Sequence, residues 1–284
     1  MPLFAMGKRQ SQPKNLTAAE QADKFDLYQR SVQTPEHEVE FFEQAYREAY
    51  NRKPITLRED FCGTFAVCCE WAKSSKRRTA IGVDLCSETL QWGRDHNLAL
   101  LTSEQQQRVR LLEQDVRDGN TEPVDVLAAQ NFSFWIFKTR REVIEYFKTA
   151  RSHLAERGIM VMDMMGGGEC YTERHTDKRT IKKGKKGFAY HWTQESFNPI
   201  TADASFSISF KFPDGSKLKR AFEYHWRFWT IPEVREMLAE AGFRETQVYW
   251  ERENEEDPEL DGGWYRCGAA DSDPSWICYI VAIK

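Results

Sequence analysis

The chain has 284 residues and a formal charge of −4, which excludes the strongly basic balance of a dedicated nucleic-acid binder. Hydrophobic residues supply 40% and aromatic residues 13%, with nine Trp and eighteen Phe, enough for one large core and too much for a disordered chain. The longest apolar runs, such as GIMVMDMM from Gly158, are too short to span a bilayer, and MPLFAMGKRQSQPKN holds no apolar signal stretch. Seven cysteines, an odd count without paired C-x-x-C spacing, argue against a disulfide framework and against a metal site. Reduced thiols in a cytoplasmic protein are therefore expected.

Residues 1–16 are polar and expected to be mobile. TAAEQ has the form of a capping box, with Thr17 as N-cap and Glu20 three residues on. Thr34 and Pro35 start a second helix, EHEVEFFEQAYREAY, with Val39, Phe42, Ala45, Tyr46 and Tyr50 along one face. Residues 17–50 thus form a helical cap. A β/α alternation follows: ITLRE, then the helix TFAVCCEWAK; RTAIGVDL, then SETLQWGRDHNLALL, with Ser87 as N-cap; RVRLLEQD; VDVLAAQ; a long helix RREVIEYFKTARSHLAERG closed by Gly158; and IMVMDMM. Strands separated by helices at this spacing predict a parallel, doubly wound α/β sheet.

The rhythm then changes over residues 166–230. After the basic, turn-rich IKKGKKG come three antiparallel strands, KGFAYHWTQES, ASFSISFKF and SKLKRAFEYHWRFW, joined at Asn198-Pro199 and at Asp214-Gly215. Phe206, Ile208, Phe210 and Phe212 alternate with serines, and Phe222, Tyr224, Trp226 and Phe228 share one face of the third strand. That aromatic face needs a cover: the main domain, the active site as a roof, or a homodimer contact. The helix TIPEVREMLAEAGF, capped by Thr230, the strand ETQVYWE, an acidic loop and the strand SWICYIVAIK end the chain.

In an open α/β sheet, ligands sit beyond the carboxyl ends of the strands. Gly63 follows the first strand, where its backbone can approach a ligand. Asp84 follows the second and can accept from ribose hydroxyls. Asp115 follows the third and can accept from an adenine amine, with apolar Val116 beside it. QNFSFW follows the fourth.

These segments, LREDFCGTF, AIGVDL, LLEQDVRD, VDVLAAQNFSFW and ERGIMVMDMMGG, resemble the successive motifs of class I S-adenosylmethionine-dependent methyltransferases. The resemblance runs over about residues 20–284 and is nearest to the small-molecule N-methyltransferases of the glycine and sarcosine type. It implies a seven-stranded Rossmann-like sheet with an antiparallel last strand, and S-adenosyl-L-methionine as methyl donor, leaving as S-adenosyl-L-homocysteine. It also implies that Asp84 holds the ribose, that Leu85 lies against the adenine, and that Asp115 and Val116 frame the ring. Glu59, Cys62 and Gly63 then lie by the methionine portion, Gln130 at its end, and Tyr28 reaches over it from the N-terminal helix.

Only one of the family's three loop glycines is kept; Phe61 and Phe65 hold the other places. Glu59 aligns with the family's acid, but Asp60 adjoins it, and alternation sends the two to opposite sides. Arg58 is either a partner for the cofactor carboxylate or a surface residue. The acceptor, a small molecule with an N or O nucleophile, is expected near Asn131, Phe132, Trp135, Glu169 and Tyr171, with Asn131 and Tyr171 as candidate catalytic groups and Gly166–Gly168 hinging a loop over the cleft. His191, His225, Glu223 and Arg227 make either a polar wall or a solvated face. Neither nucleic acid nor membrane is an expected partner. Among rival readings, an NAD(P) oxidoreductase lacks G-x-G-x-x-G, a nucleic-acid methylase lacks the N-P-P-[YW] motif, and a cofactor-holding regulatory module without turnover differs only in function.

Overall fold

The computed structural model describes residues 16–118, 121–182, 187–253 and 261–284. Most of the N-terminal segment expected to be mobile, the lysine run at 183–186 and the acidic loop at 254–260 lie outside the described residues.

Helices α1 (Lys24–Val32) and α2 (Pro35–Tyr50) come first. The alternating part follows as β1 (Thr56–Asp60), α3 (Ala66–Ser74), β2 (Thr79–Asp84), α4 (Ser87–His96), a short α5 (Ser103–Gln106), β3 (Val109–Glu113), β4 (Val124–Ala129), α6 (Arg140–Ser152) and β5 (Leu154–Gly166). The insertion holds β6 (His175–Ile181), β7 (Phe188–Phe197), β8 (Asp203–Lys211) and β9 (Lys217–Arg227). The chain closes with α7 (Ile231–Glu240), β10 (Glu245–Glu253), β11 (Asp261–Cys267) and β12 (Trp276–Ile283).

The main sheet has the order β11-β10-β12-β5-β4-β1-β2-β3. The five strands from β5 to β3 run parallel, and β12 inserts antiparallel between β5 and β10. The doubly wound architecture is therefore the expected one, with β11 added at the edge as an antiparallel partner of β10. One core packs α6 and α7 on one face, through Tyr146, Phe147 and Met237; the other packs α2 and α3 on the opposite face, through Phe42, Tyr46 and Trp71.

Several local expectations change. The Thr17–Glu20 capping bonds form, but around a single turn; α1 begins only at Lys24, where the Asp23 carboxylate accepts from the amides of Phe25 and Asp26. Helix α6 stops at Ser152, with His153 as its C-cap, and Gly158 lies inside β5 rather than ending a helix. The insertion has a fourth strand, β6, paired with β7. Its side chains are polar and mostly exposed, so it lacks the apolar alternation that marks a strand.

The aromatic face of the insertion is covered within the chain. Phe188, Tyr190, Ile208 and Phe210 pack on Leu27 of α1, while Phe206, Trp226 and Phe228 join the α6 and α7 core. Its strands thereby close over the carboxyl end of the parallel sheet, beside α1.

Helix α4 lies close over the turn after β1 because Gly93 lacks a side chain. A Cβ there would stand 2.4 Å from the Phe65 ring and 2.6 Å from the Thr64 carbonyl oxygen. Gly93→Ala is expected to destabilise the protein by about 1–3 kcal/mol through overpacking, measured by urea unfolding; an unchanged midpoint would show that α4 can shift freely.

Candidate active site

Alternation along β1 divides its side chains between the two faces. Arg58 and Asp60 point to the α6 side and Glu59 to the α3 side. Arg58 is fully buried and has four partners: Asp60 Oδ1 at 2.7 Å, Thr121 Oγ1 at 3.1 Å, His153 Nδ1 at 2.9 Å and the Val116 carbonyl at 2.9 Å. It is neither a surface arginine nor a partner for a ligand carboxylate. The tight turn after β3 needs a donor beneath the Val116 carbonyl, and Arg58 fills that need from inside the core. Asp60 also accepts from the Tyr146 hydroxyl at 3.1 Å. The other acid, Glu59, turns toward α3, where its Oε2 accepts from the Cys68 amide at 3.1 Å.

The turn from β1 into α3 keeps a glycine-type backbone with one glycine. Phe61, Gly63 and Phe65 have φ of 57°, 52° and 46°. Left-handed backbone costs a residue with a side chain about 1–2 kcal/mol. Burying the rings offsets that cost by a comparable amount: Phe65 is fully buried, and Phe61 packs on Tyr146 and Phe137. Cys62 is buried with its sulfur toward Gly82, so only its backbone can face a ligand. At Gly63 a Cβ would meet nothing nearer than Thr89 Cγ2 at 3.7 Å, so the turn is open on that side.

Asp84 ties this turn to the next strand. Its Oδ2 accepts from the Gly63 amide and its Oδ1 from the Cys86 amide, both at 2.8 Å. Leu85 beside it is 65% exposed, a large apolar side chain set at the lip of the cleft. After β3, Arg117 grips Asp115 through Nε at 3.0 Å and Nη2 at 2.7 Å and holds its carboxyl below the usual range. Val116 is buried in the core with its carbonyl on Arg58. Its side chain offers a ligand ring little surface, and Leu85 is the apolar flank that remains.

Beyond β4, Asn131 and Phe132 both adopt φ of 57°. Their amides donate to Asp163 of β5, each at 2.9 Å and each to a different carboxylate oxygen. Gln130, 5% exposed, has no hydrogen-bond partner for its buried Nε2. The Phe132 ring rests near Trp135 and Trp226.

Two elements cover these strand ends. From α1, Gln29 Oε1 accepts from Thr64 Oγ1 and from Asn97 Nδ2, both at 2.6 Å, and Asp23 accepts from the Trp92 indole at 2.6 Å. Helix α1 is thus latched to both the Gly63 turn and α4. It carries Tyr28, whose ring packs on Phe222 with its hydroxyl toward Tyr224; burial pushes that phenol above its usual range. From α2, Glu38 turns inward at 9% exposure with no partner for Oε2.

Glu38, Glu59 and Asp163 form an acidic group at these strand ends. Sequence reasoning missed Glu38 and Asp163 and did not expect the grouping, although a signal was present. Glu38 is placed four residues before Phe42 and seven before Ala45, inside the apolar stripe of α2, and Asp163 interrupts the otherwise apolar run from Ile159 to Met165. Burial raises all three: Glu38 to about 8, helped by the charges of Glu59 and Asp163; Glu59 to about 7, against the pull of the Cys68 bond; and Asp163 to about 6, against its two amide donors.

The remaining expected groups lie apart from this cleft centre. Tyr171 is 53% exposed and rests on Phe197 and Phe228. Gly166 and Gly167 are packing glycines, since side chains there would strike the Trp276 ring and the Pro274 carbonyl; they do not hinge a loop over the cleft. His191 pairs with Ser209 and His225 with Ser205, four positions apart along β8, so the two histidines form no common group.

No protein-family model matches the sequence, and no curated protein matches it. Solved structures do resemble it. CalS10 from Micromonospora echinaspora, an amino pentose methyltransferase solved with S-adenosylmethionine, superposes with a TM-score of 0.65 at 15% identity, over 96% of this chain and 99% of that one. DesVI of Streptomyces venezuelae gives 0.66 at 16% identity, over 93% and 98%. The sugar N-methyltransferase KedS8 from Streptoalloteichus gives 0.61 at 13% identity, over 100% and 99%. The chain has the fold of the class I S-adenosylmethionine-dependent methyltransferases.

A raised carboxyl stabilises the folded state fully only below its unfolded pKa, and loses that contribution as pH rises through the folded one. Glu38, Glu59 and Asp163 therefore predict that the ligand-free protein loses stability between pH about 4.5 and 8. The loss is about 1.4 kcal/mol for every tenfold gain in proton affinity that folding confers on a group. Asp115, held low by Arg117, matters only below that window; partly exposed His191, held low by burial, opposes the trend weakly. Calorimetric melting points from pH 5 to 8.5 check this, and a rising curve would contradict it.

Proposed function

We propose that this chain is a methyltransferase that binds S-adenosyl-L-methionine across the ends of β1, β2, β3 and β4 and methylates the amine of a small molecule. The observation that carries the reading is the Asp84 carboxylate bonded to the Gly63 amide. It joins the open turn after β1 to the acid after β2, the two places where a nucleoside with an amino-acid tail is held in this fold. Exposed Leu85 beside Asp84, and the unpartnered Gln130 Nε2 and Glu38 Oε2 at the other end, suit an apolar ring and a charged tail respectively.

When bound, this cofactor supplies a methyl group already activated on a sulfonium. The protein's task is then alignment and exclusion of water. Asp84 retains lone pairs for the ribose hydroxyls. Asp115, held ionised by Arg117, offers its remaining lone pairs to the adenine amine. Tyr28, latched in place with α1, closes the cleft from above, and the insertion supplies Tyr224 and Trp226 as neighbouring wall. Aromatic faces suit the dispersed positive charge of the transition state. Asp163 acts through the backbone, fixing the Asn131–Phe132 turn that borders the acceptor side. CalS10 and KedS8, which carry amino pentose and sugar N-methyltransferase names, support an amine among the N and O acceptors. Seven unpaired thiols suit a reducing, cytoplasmic setting.

Asp84→Asn is expected to weaken S-adenosylhomocysteine binding by about 1–3 kcal/mol, the scale of a lost charged hydrogen bond. Titration calorimetry on the folded variant measures it, and equal affinity would remove the ribose assignment. Transfer from methyl-labelled cofactor to a panel of small amines and amino sugars tests turnover directly. Tight cofactor binding with no transfer to any of them would favour a non-catalytic binding module.

A further inference from the structure

Glu38 differs from the other carboxylates over the strand ends because its Oε2 has no partner. Glu59 accepts from Cys68 and Asp163 from two amides, whereas the Glu38 carboxyl meets only the Thr34 backbone, and its Oε2 is sealed from solvent with no hydrogen-bond donor among the described residues. The charges that face it are all of its own sign: Glu59 from β1, Asp163 from β5 and Glu36 from its own helix. Tyr28 faces it from α1. A second unpartnered group lies nearby in the topology, since Gln130 directly follows β4, the strand between those carrying Glu59 and Asp163. A buried carboxylate beside two others, with no cation, is the arrangement that folding alone would remove.

We propose that Glu38 recognises an ammonium group, the α-amino group at the methionine end of the cofactor. The inference rests on the assignment of this cleft to S-adenosylmethionine. On that assignment the tail end of the cofactor lies by Gly63 and Gln130, beside the three carboxylates, where an N–H donor would satisfy Glu38 Oε2 and its charge would offset theirs. Near neutral pH the ring holds protons that an incoming ammonium expels to the buffer, so binding releases protons. Glu38 is thus a specificity residue for the amino-acid tail, with no part in the chemical step.

The test compares two probes by calorimetry at pH 7 in phosphate and in Tris: S-adenosylhomocysteine, which carries the ammonium, and 5′-methylthioadenosine, which keeps the nucleoside and thioether without the tail. E38Q is expected to bind S-adenosylhomocysteine roughly ten- to a hundredfold more weakly, with less proton release, and methylthioadenosine as the wild type does. E38D, which keeps the charge on a shorter arm, should release protons like the wild type at intermediate affinity. E38Q removes a carboxyl that folding must keep protonated near neutral pH, so its melting point without ligand should rise. Unchanged affinity and proton release in E38Q, or equal weakening of both probes, overturns the role of Glu38 alone. Failure of the wild type to bind either probe overturns the cofactor assignment along with it.

Discussion

Carboxylates that accept backbone amides hold the upper end of this sheet together. Where a parallel strand ends, its ladder bonds end too, and the amides of the next turn need new acceptors. Asp84 takes the amides of Gly63 and Cys86, Asp163 those of Asn131 and Phe132, and Glu59 that of Cys68. Gly63, Asn131 and Phe132 are left-handed, a conformation that drifts unless something over-determines it. Each clamp ties such a turn to a neighbouring strand or helix, so that the turns move with the sheet. The lower end is built differently. Asp125 accepts from the Ile55 and Thr56 amides, but Arg52 stands at 3.0 Å and neutralises it. Glu59 and Asp163 have no such cation among the described residues, and the negative field is concentrated where the cleft lies.

The turn after β1 shows how far a backbone can be kept while its usual residues change. A glycine there is favoured because left-handed φ costs it nothing. Phe61 and Phe65 hold the same φ because each ring is captured on a different side: Phe61 by Phe137 and Tyr146, Phe65 under Gly93. The glycine has in effect moved from the turn to the helix that crosses it. Such a turn is stiffer than a triple-glycine one, since moving it requires both rings to leave their packing.

The alternation of strands and helices is readable from sequence because β2, β4 and the centre of β5 are apolar runs and the helices between them carry a clear stripe. Edge strands are harder. HTDKRTI is polar on both faces, and the strand Asp261–Cys267 follows an acidic run that reads as loop. The strand-end positions of Gly63, Asp84, Asp115 and Gln130 follow from topology alone. The environment of Arg58 does not, because burial of a charge depends on partners scattered at residues 60, 116, 121 and 153, which no local pattern announces. Val116 departs from its expected place for a related reason: an apolar residue after a strand can face either a ligand or the core, and only the position of Arg58 decides which.

The covering layer explains why the cleft can tolerate its charges. Helix α1 and the insertion bury each other's apolar faces, Leu27 among Phe188, Tyr190 and Ile208, and together they shield the strand ends from water. Shielding raises the carboxyl groups of Glu38, Glu59 and Asp163, and so destabilises the empty protein at neutral pH. The same shielding strengthens any attraction to a cation placed among them, because both effects scale with the loss of solvent screening. A cleft open to water would lose the instability and the selectivity together. The latch from Gln29 to Thr64 and Asn97 ties the seat of the cover to the turn beneath it, so that α1 and the Gly63 turn are positioned together.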